Sequence, residues 1–380
     1  MAVDIVSSKK SRLKGIDALR CIAFLMVFIS HCGIGLPIGE CGVSLFLVIS
    51  GFVTVYSNLN REPAFSPGFK SNLKFAIKKI KGLYILHVVC TLLMTIKLLI
   101  GGNIFLGLIV VKFILNLLLI QEWFPLANAS INGVSWYLCV ILLFYFLYPW
   151  VDSFFRKYMD IRKAKIDIVF LITLMFVISF GSRLILGDID LGNSTVFRSN
   201  LCHWLVYYFP PVRLIEILIG CNLALVYLNA ENNENDILKW TIYELVTIIA
   251  LIVVNCLYLN YIELPTIGIF NPSEIWWKDS LVYVLPSIIS VFVFARNRGI
   301  VTRPLNNGLT SYISNMSRNG FLIHFVVIQY IDSVIERVDT LSVFAENNIL
   351  KVLLYALVTA ISCEIWKHAV NNRERKKGTI

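Results

Sequence analysis

Long apolar runs are what most limit the folds open to this chain. A helix needs about 18 or more predominantly apolar residues to cross a bilayer, and run after run of Leu, Ile, Val and Phe reaches that length. In hydrocarbon every backbone N–H and C=O needs an internal partner, which leaves helices or a closed barrel. The runs are continuous and lack the period-2 alternation of barrel strands. The expected fold is therefore all-α, a polytopic integral membrane protein. Composition agrees, with 57% of the 380 residues hydrophobic and 15% charged, against about half and a quarter in soluble domains.

The net charge of +10 is not a nucleic-acid signature, because the basic residues fall in short clusters between apolar runs. Those clusters are the N-terminus (Lys9, Lys10, Arg12, Lys14), then Arg61–Lys81, Arg156–Lys165, Arg296–Arg303 and Lys367–Lys377. The positive-inside rule puts all of them in the cytoplasm, so an even number of spans separates each pair. About ten spans satisfy this, roughly 17–35, 42–58, 82–100, 134–151, 166–186, 209–228, 241–260, 280–295, 318–333 and 347–368. Both termini are then cytoplasmic, with 1–16 leading in and 369–380 a basic tail. The stretch 104–120 carries Lys112 and would break the parity, so it is expected as an interfacial or re-entrant helix on the outer side. The acidic loop 229–239 (Glu231, Glu234, Asp236) is a mild exception, since acidic residues weigh little in the rule. The expected organisation is one membrane domain over 1–380, without a cleavable leader. The nine cysteines show no CxxC pair and no Cys/His spacing for a metal, so neither a disulfide framework nor a metal site is expected.

Ionisable groups inside spans cost several kcal/mol and are functional candidates by default. The first helix reads GIDALRCIAFLMVFISHCG. Eleven residues at about 100° each return nearly to the same face, so Arg20 and His31 share one side about 16 Å apart. Asp17, one turn before Arg20, is placed to pair with it. A guanidinium near the cytoplasm suits a phosphate-bearing donor, and a histidine deeper in the membrane suits a general base. A structural or proton-relay role is the alternative. Glu40, in the turn joining the first two helices, is placed to orient that imidazole or to bind a polar acceptor, or is a solvated turn carboxylate. Ser50 and Gly51 are small residues that permit close helix approach. Arg213 and Glu216, at i and i+3, face the same way, either as a self-neutralising packing pair or as part of a site. His324 is a further intramembrane histidine, expected to pack or to hydrogen-bond.

Taken together these segments resemble acyltransferase family 3, integral membrane acyltransferases that include bacterial O-acetyltransferases of surface polysaccharides. Arg20 and His31 stand at the positions of an R-x(10)-H motif. GVSLFLVISGF is similar to the family's second-helix signature, with Ser44 where many members are acidic. WYLCVILLFYFLYP, beginning at Trp136, resembles its aromatic segment, here without the usual Glu. PPVRLIEILIG is similar to a P-x-R-x-x-E-x-x-x-G segment, and SYISNMSRNGFLIHF to the late helix ending in Leu-Ile-His. The matches run in order from residue 15 to about 325.

The resemblance implies acyl-CoA, usually acetyl-CoA, as cytoplasmic donor and a hydroxyl acceptor on the outer side. His31 would be the catalytic base or, alternatively, a nucleophile, and Arg20 would position the donor. Lys78 and Lys79, with Lys74 and Lys81, would add attraction for the anionic nucleotide, although anionic lipid explains them equally. Asp17, Glu40, Ser50, Trp136, Arg213, Glu216 and His324 would support substrate or site. The expected setting is the bacterial cytoplasmic membrane, with a capsular, exopolysaccharide or lipid-linked sugar as acceptor, lipid as surroundings, and room for a homo-oligomer. No fused SGNH hydrolase-like domain is seen, so the expectation is a stand-alone enzyme that acylates its acceptor directly or hands the acyl group to a partner. The rival from another class is a transporter or flippase, for which the inverted repeats of many transporters are lacking.

Overall fold

The computed structural model describes residues 12–59, 66–101, 105–186, 189–193, 198–230, 236–258 and 281–377. Lys9, Lys10, Arg61, Glu231 and Glu234, and the ends of two expected spans, lie outside them. The helices are α1 (Lys14–His31), α2 (Gly39–Asn58), α3 (Phe69–Gly101), α4 (Leu106–Leu117), α5 (Trp136–Tyr158), α6 (Ile161–Leu186), α7 (Leu201–His203), α8 (Pro210–Asn229), α9 (Ile237–Tyr258), α10 (Val282–Arg296), α11 (Thr302–Leu305), α12 (Gly308–Ile335), α13 (Ser342–Glu346) and α14 (Asn348–Lys377). A short antiparallel ladder, β1 (Asp190–Asn193) with β2 (Arg198–Asn200), follows α6. It is a small addition to an otherwise helical chain.

Each expected span lies on a helix, but they are not alike. Among the described residues 7 helices are long and apolar enough to cross a membrane. The 15-residue α10 is shorter. α1 and α12, with 18 and 28 residues, have the length but are too polar to be counted with them. These two carry His31 and His324. Their polar residues are tolerated because they face each other in the middle of the bundle rather than lipid.

Burial sorts the rest. The apolar windows of α2 and the α7–α8 unit are 67% and 72% buried, whereas those of α9 and α14 are each 17% buried. Phe170 and Val177 on α6, Val246 and Ile249 on α9, and Leu353 and Leu357 on α14 are all exposed. Such contiguous apolar surface belongs against hydrocarbon. The inner helices α1, α2, α8, α10 and α12 thus form a core inside a greasy outer ring.

Two glycines set the tightest crossing in that core. A Cβ on Gly51 would stand 1.8 Å from the Ile217 carbonyl oxygen, and one on Gly220 would stand 2.0 Å from that of Val48. α2 and α8 therefore meet backbone to backbone, the use expected for Gly51 from its size.

α4 has 12 residues, about 18 Å of helix and too short for a core about 30 Å thick. After it the chain folds back through three single 3-10 turns, Gln121–Trp123, Pro125–Ala127 and Gly133–Ser135. Leu119, Ala129 and Ile131 adopt left-handed φ of 56°, 45° and 61°, costly for non-glycine residues and most so for β-branched Ile131. Packing holds this turn chain in place, with Ile131, Gln121, Glu122 and Asn132 fully buried. Burial pushes the Glu122 carboxyl well above the ordinary carboxylate range, although the Ala129 N–H donates to it and opposes the shift. All nine cysteines are free thiols.

Candidate active site

α1 and α12 run side by side in the same direction. Ser314 donates to Asp17 at 3.3 Å near their starts, and His324 meets His31 near the end of α1. Gly320 permits the approach, since a Cβ there would lie 2.8 Å from the Phe24 ring.

The two imidazoles have a defined relation. His31 Nδ1 is 2.8 Å from the Val27 carbonyl oxygen, so that nitrogen carries the proton and donates it along the helix. His324 Nδ1 is likewise 2.9 Å from the Gly320 carbonyl, which leaves its Nε2 as an acceptor. That Nε2 lies 3.3 Å from His31 Nδ1. The His31 N–H is thus shared between a carbonyl and a second imidazole, and its Nε2 makes no hydrogen bond among the described residues. His324 is fully buried, whereas His31 is partly exposed. Phe325 packs on His31 at 5.5 Å, and Phe24, Phe28 and Phe321 surround His324 at 6.1, 6.0 and 6.2 Å. This is the arrangement of a base oriented by a second group, the logic common to base-assisted acyl transfer.

Glu40 does not take the orienting role expected for it. Among the described residues the polar groups that meet the His31 ring are Val27 and His324. Asp17 also differs from expectation. It pairs with Arg12, which bonds Asn315 as well, and with Ser314, not with Arg20. The reason is geometric: Arg12 lies before the helix begins and can fold back onto the first turn. Arg20 is left half-buried, with no ion pair or hydrogen bond among the described residues and with Tyr137 and Tyr145 within electrostatic reach.

Aromatic side chains pack between the Tyr137 phenol and the histidines. Tyr137 lies 5.1 Å from Phe321, and Phe46 lies 5.9 Å from the same ring. Ser50 fixes the Tyr137 phenol at 2.9 Å while donating to the Phe46 carbonyl at 2.7 Å. Phe46, Ser50 and Tyr137 all retain some exposure. Arg213 and Glu216 pair at 2.9 Å with both side chains fully buried. Trp136 and Tyr207 stack over the guanidinium at 5.7 and 5.1 Å. Glu216 also acts electrostatically on Tyr137, while the polar contacts of the His31 ring do not include this cluster. Lys78 and Lys79 are exposed on α3, the latter 5.3 Å from the Phe75 ring, and neither reaches Arg20.

Two groups were not singled out from sequence. Arg318 lies six residues before His324, and an arginine inside an apolar helix was the available signal. Glu244 is fully buried and accepts from the backbone of Gly299, Val301 and Thr302 and from the Thr302 hydroxyl. A carboxylate in α9 was visible in sequence, but its loop partners were not.

Comparison with known proteins accords with the geometry. A protein of Streptomyces mycarofaciens described as acyltransferase MdmB is 25% identical over 239 residues. The alignment covers 57% of this chain and 57% of that relative, so the chain spans little more than half of its length. No solved structure matches. The family model described as an acyltransferase domain matches residues 13–365, a span that holds Arg20, His31, Tyr137 and His324, and on that match the chain belongs to acyltransferase family 3.

Proposed function

We propose that this chain is a membrane O-acyltransferase that moves an acyl group, acetyl in the first instance, from acyl-CoA to a hydroxyl of a cell-surface or capsular polysaccharide or its lipid-linked precursor. The observation that carries the reading is the pair of imidazoles, His31 and His324, with Arg20 earlier on the same helix as His31. The setting proposed is the bacterial cell membrane, and the distribution of basic clusters supports a cytoplasmic position for the Arg20 end of α1. Acyl-CoA enters there, its phosphates near Arg20 and its thioester toward His31.

The acceptor hydroxyl oxygen attacks the thioester carbonyl carbon while His31 Nε2 takes the hydroxyl proton. The C–S bond then breaks, the ester forms, and the proton passes from His31 to the departing thiolate. During transfer His31 becomes an imidazolium, and His324 Nε2 accepts its Nδ1–H, holding the ring in place and spreading the charge. Arg213, Glu216 and Trp136 support the packing around Tyr137. Neutral, partly exposed His31 is the base, and buried His324 is its positioning residue.

The test combines two readouts: thiol release from acetyl-CoA by purified protein, and O-acetyl signals of surface polysaccharide by proton NMR. Strains carry wild type, no gene or His31→Ala. Loss of acetyl signals in the deletion and the mutant, with mutant protein still in the membrane, is expected. If wild type and deletion carry equal acetyl signals, the polysaccharide acceptor is wrong. If purified wild type releases no thiol with any acceptor, the reaction class is wrong.

A further inference from the structure

A cavity of about 360 Å³ opens where α3 begins beside the last turns of α5. Ser66 and Pro67 line it from the approach to α3, and Asp152, Ser153, Arg156 and Lys157 line it from α5. It stands apart from the histidine pair, because Asp152 lies about 22 Å of helix beyond Tyr137.

Free donors dominate its wall. The Arg156 guanidinium carries five N–H groups. Its Nε donates to Asp152 at 2.8 Å, its Nη1 to the Leu59 carbonyl at 3.0 Å and its Nη2 to the Asn58 carbonyl at 2.8 Å. Those bonds pin the guanidinium across the end of α2 and leave two N–H groups over. Asp152 is the carboxylate in the wall, and it is taken by Arg156 and by the Tyr148 phenol at 3.4 Å. The Lys157 ammonium meets the Tyr158 ring at 4.9 Å and has no acid partner among the described residues. The Ser66 and Ser153 hydroxyls make no hydrogen bond among them either. Two cations against one committed carboxylate, with hydroxyls to spare, are the chemistry of a phosphate site.

The surroundings indicate where the phosphate comes from. Phe69, Trp150 and Phe154, next along the chain to the cavity residues, are all exposed. Phe69 and Trp150 both pack on Phe146, at 5.5 and 5.6 Å. From Phe69 the exposed apolar stripe of α3 continues through Leu73 and Ile77 at one-turn spacing. Exposed aromatics beside an apolar helix face mark the level where headgroups meet hydrocarbon.

We infer that this cavity holds the headgroup of an anionic phospholipid. Lys157 and the spare Arg156 N–H groups take the phosphate oxygens, Ser66 and Ser153 take the other headgroup oxygens, and the acyl chains lie along Phe69, Leu73 and Ile77. On the orientation read from the basic clusters, the lipid belongs to the cytoplasmic leaflet. A soluble phosphate compound offers the same phosphate, but it has no use for the apolar stripe.

The experiment is native mass spectrometry of the full-length protein in detergent, titrated with phosphatidylglycerol or with chain-matched phosphatidylcholine. One phosphatidylglycerol is expected to bind ahead of the rest, about fivefold or more tighter than phosphatidylcholine. Lys157→Gln is expected to weaken that first binding about fivefold, the share of one cation at a headgroup. Ser153→Phe fills the cavity at unchanged charge and is expected to weaken it at least as much. Lys163→Gln removes an equal charge from the same basic cluster, outside the cavity and beside Asp160 at 3.7 Å, and is expected to change nothing. Equal losses in Lys157→Gln and Lys163→Gln would overturn the site, since they mark diffuse surface charge. So would equal affinity for the two lipids, wild-type affinity in Ser153→Phe, or displacement of the lipid by equimolar CoA, which marks a soluble nucleotide.

Discussion

Replacing His324 by Leu isolates what the second imidazole contributes. Leu has a similar volume, so the packing against Phe24, Phe28 and Phe321 is largely kept. The acceptor 3.3 Å from His31 Nδ1 is lost, while the Val27 carbonyl at 2.8 Å still holds the tautomer. In the ground state the lost bond is neutral, worth about 0.5–1.5 kcal/mol, and in the transition state it is charge-assisted, worth about 1.5–3 kcal/mol. The difference of about 1–1.5 kcal/mol is what His324 adds to catalysis, and it corresponds to roughly tenfold in rate. Steady-state thiol release should therefore show kcat down about tenfold with KM for acetyl-CoA unchanged. His31→Ala, which removes the base, should cost about a hundred- to ten-thousandfold. His324→Gln, which restores an acceptor, should recover part of the loss. A His324→Leu loss as deep as that of His31→Ala would refute a positioning role and make His324 a proton carrier in its own right. An unchanged kcat would reduce the contact to packing.

Three further outcomes bear on the frame that holds the site. Gly220→Ala drives a methyl into the Val48 carbonyl, where a Cβ has 2.0 Å; rigid backbone must move, so a loss of about 3 kcal/mol or more is expected in detergent unfolding. Glu244→Ala strips four hydrogen bonds from the 299–302 turn and should cost about 3–5 kcal/mol, with Glu244→Gln retaining part of it. Glu122 has a folded carboxyl raised by burial. Its contribution to stability is complete below the ordinary carboxylate pKa and is lost as pH rises through the raised value. Thermal unfolding from pH 5 to pH 9 should show that decline in wild type and not in Glu122→Gln.

The long helices were legible because hydrocarbon imposes a length and a composition that a single sequence displays directly. The site was legible only along α1. Arg20 and His31 lie on one helix, where a fixed angular step makes spacing equivalent to geometry. His324 was visible as a histidine in an apolar run, but its partner is 293 residues away, and no local period encodes a contact between helices. Spacing along the chain points instead to Glu40, the nearest carboxylate in sequence, and to Asp17 as the mate of Arg20. Both assignments treated proximity along the chain as proximity in space. In the structure Arg12 and Ser314 hold the Asp17 carboxylate, and Arg20 keeps Asp17, Tyr137 and Tyr145 within electrostatic reach without an ion pair. The turn chain 119–135 was hidden for a different cause. Its left-handed Leu119, Ala129 and Ile131 contradict local preference, and only the surrounding pack makes that backbone affordable. The last of these turns, Gly133–Ser135, packs against α12, the helix that carries His324, so the strained backbone is held by the same helix that orients the His31 ring.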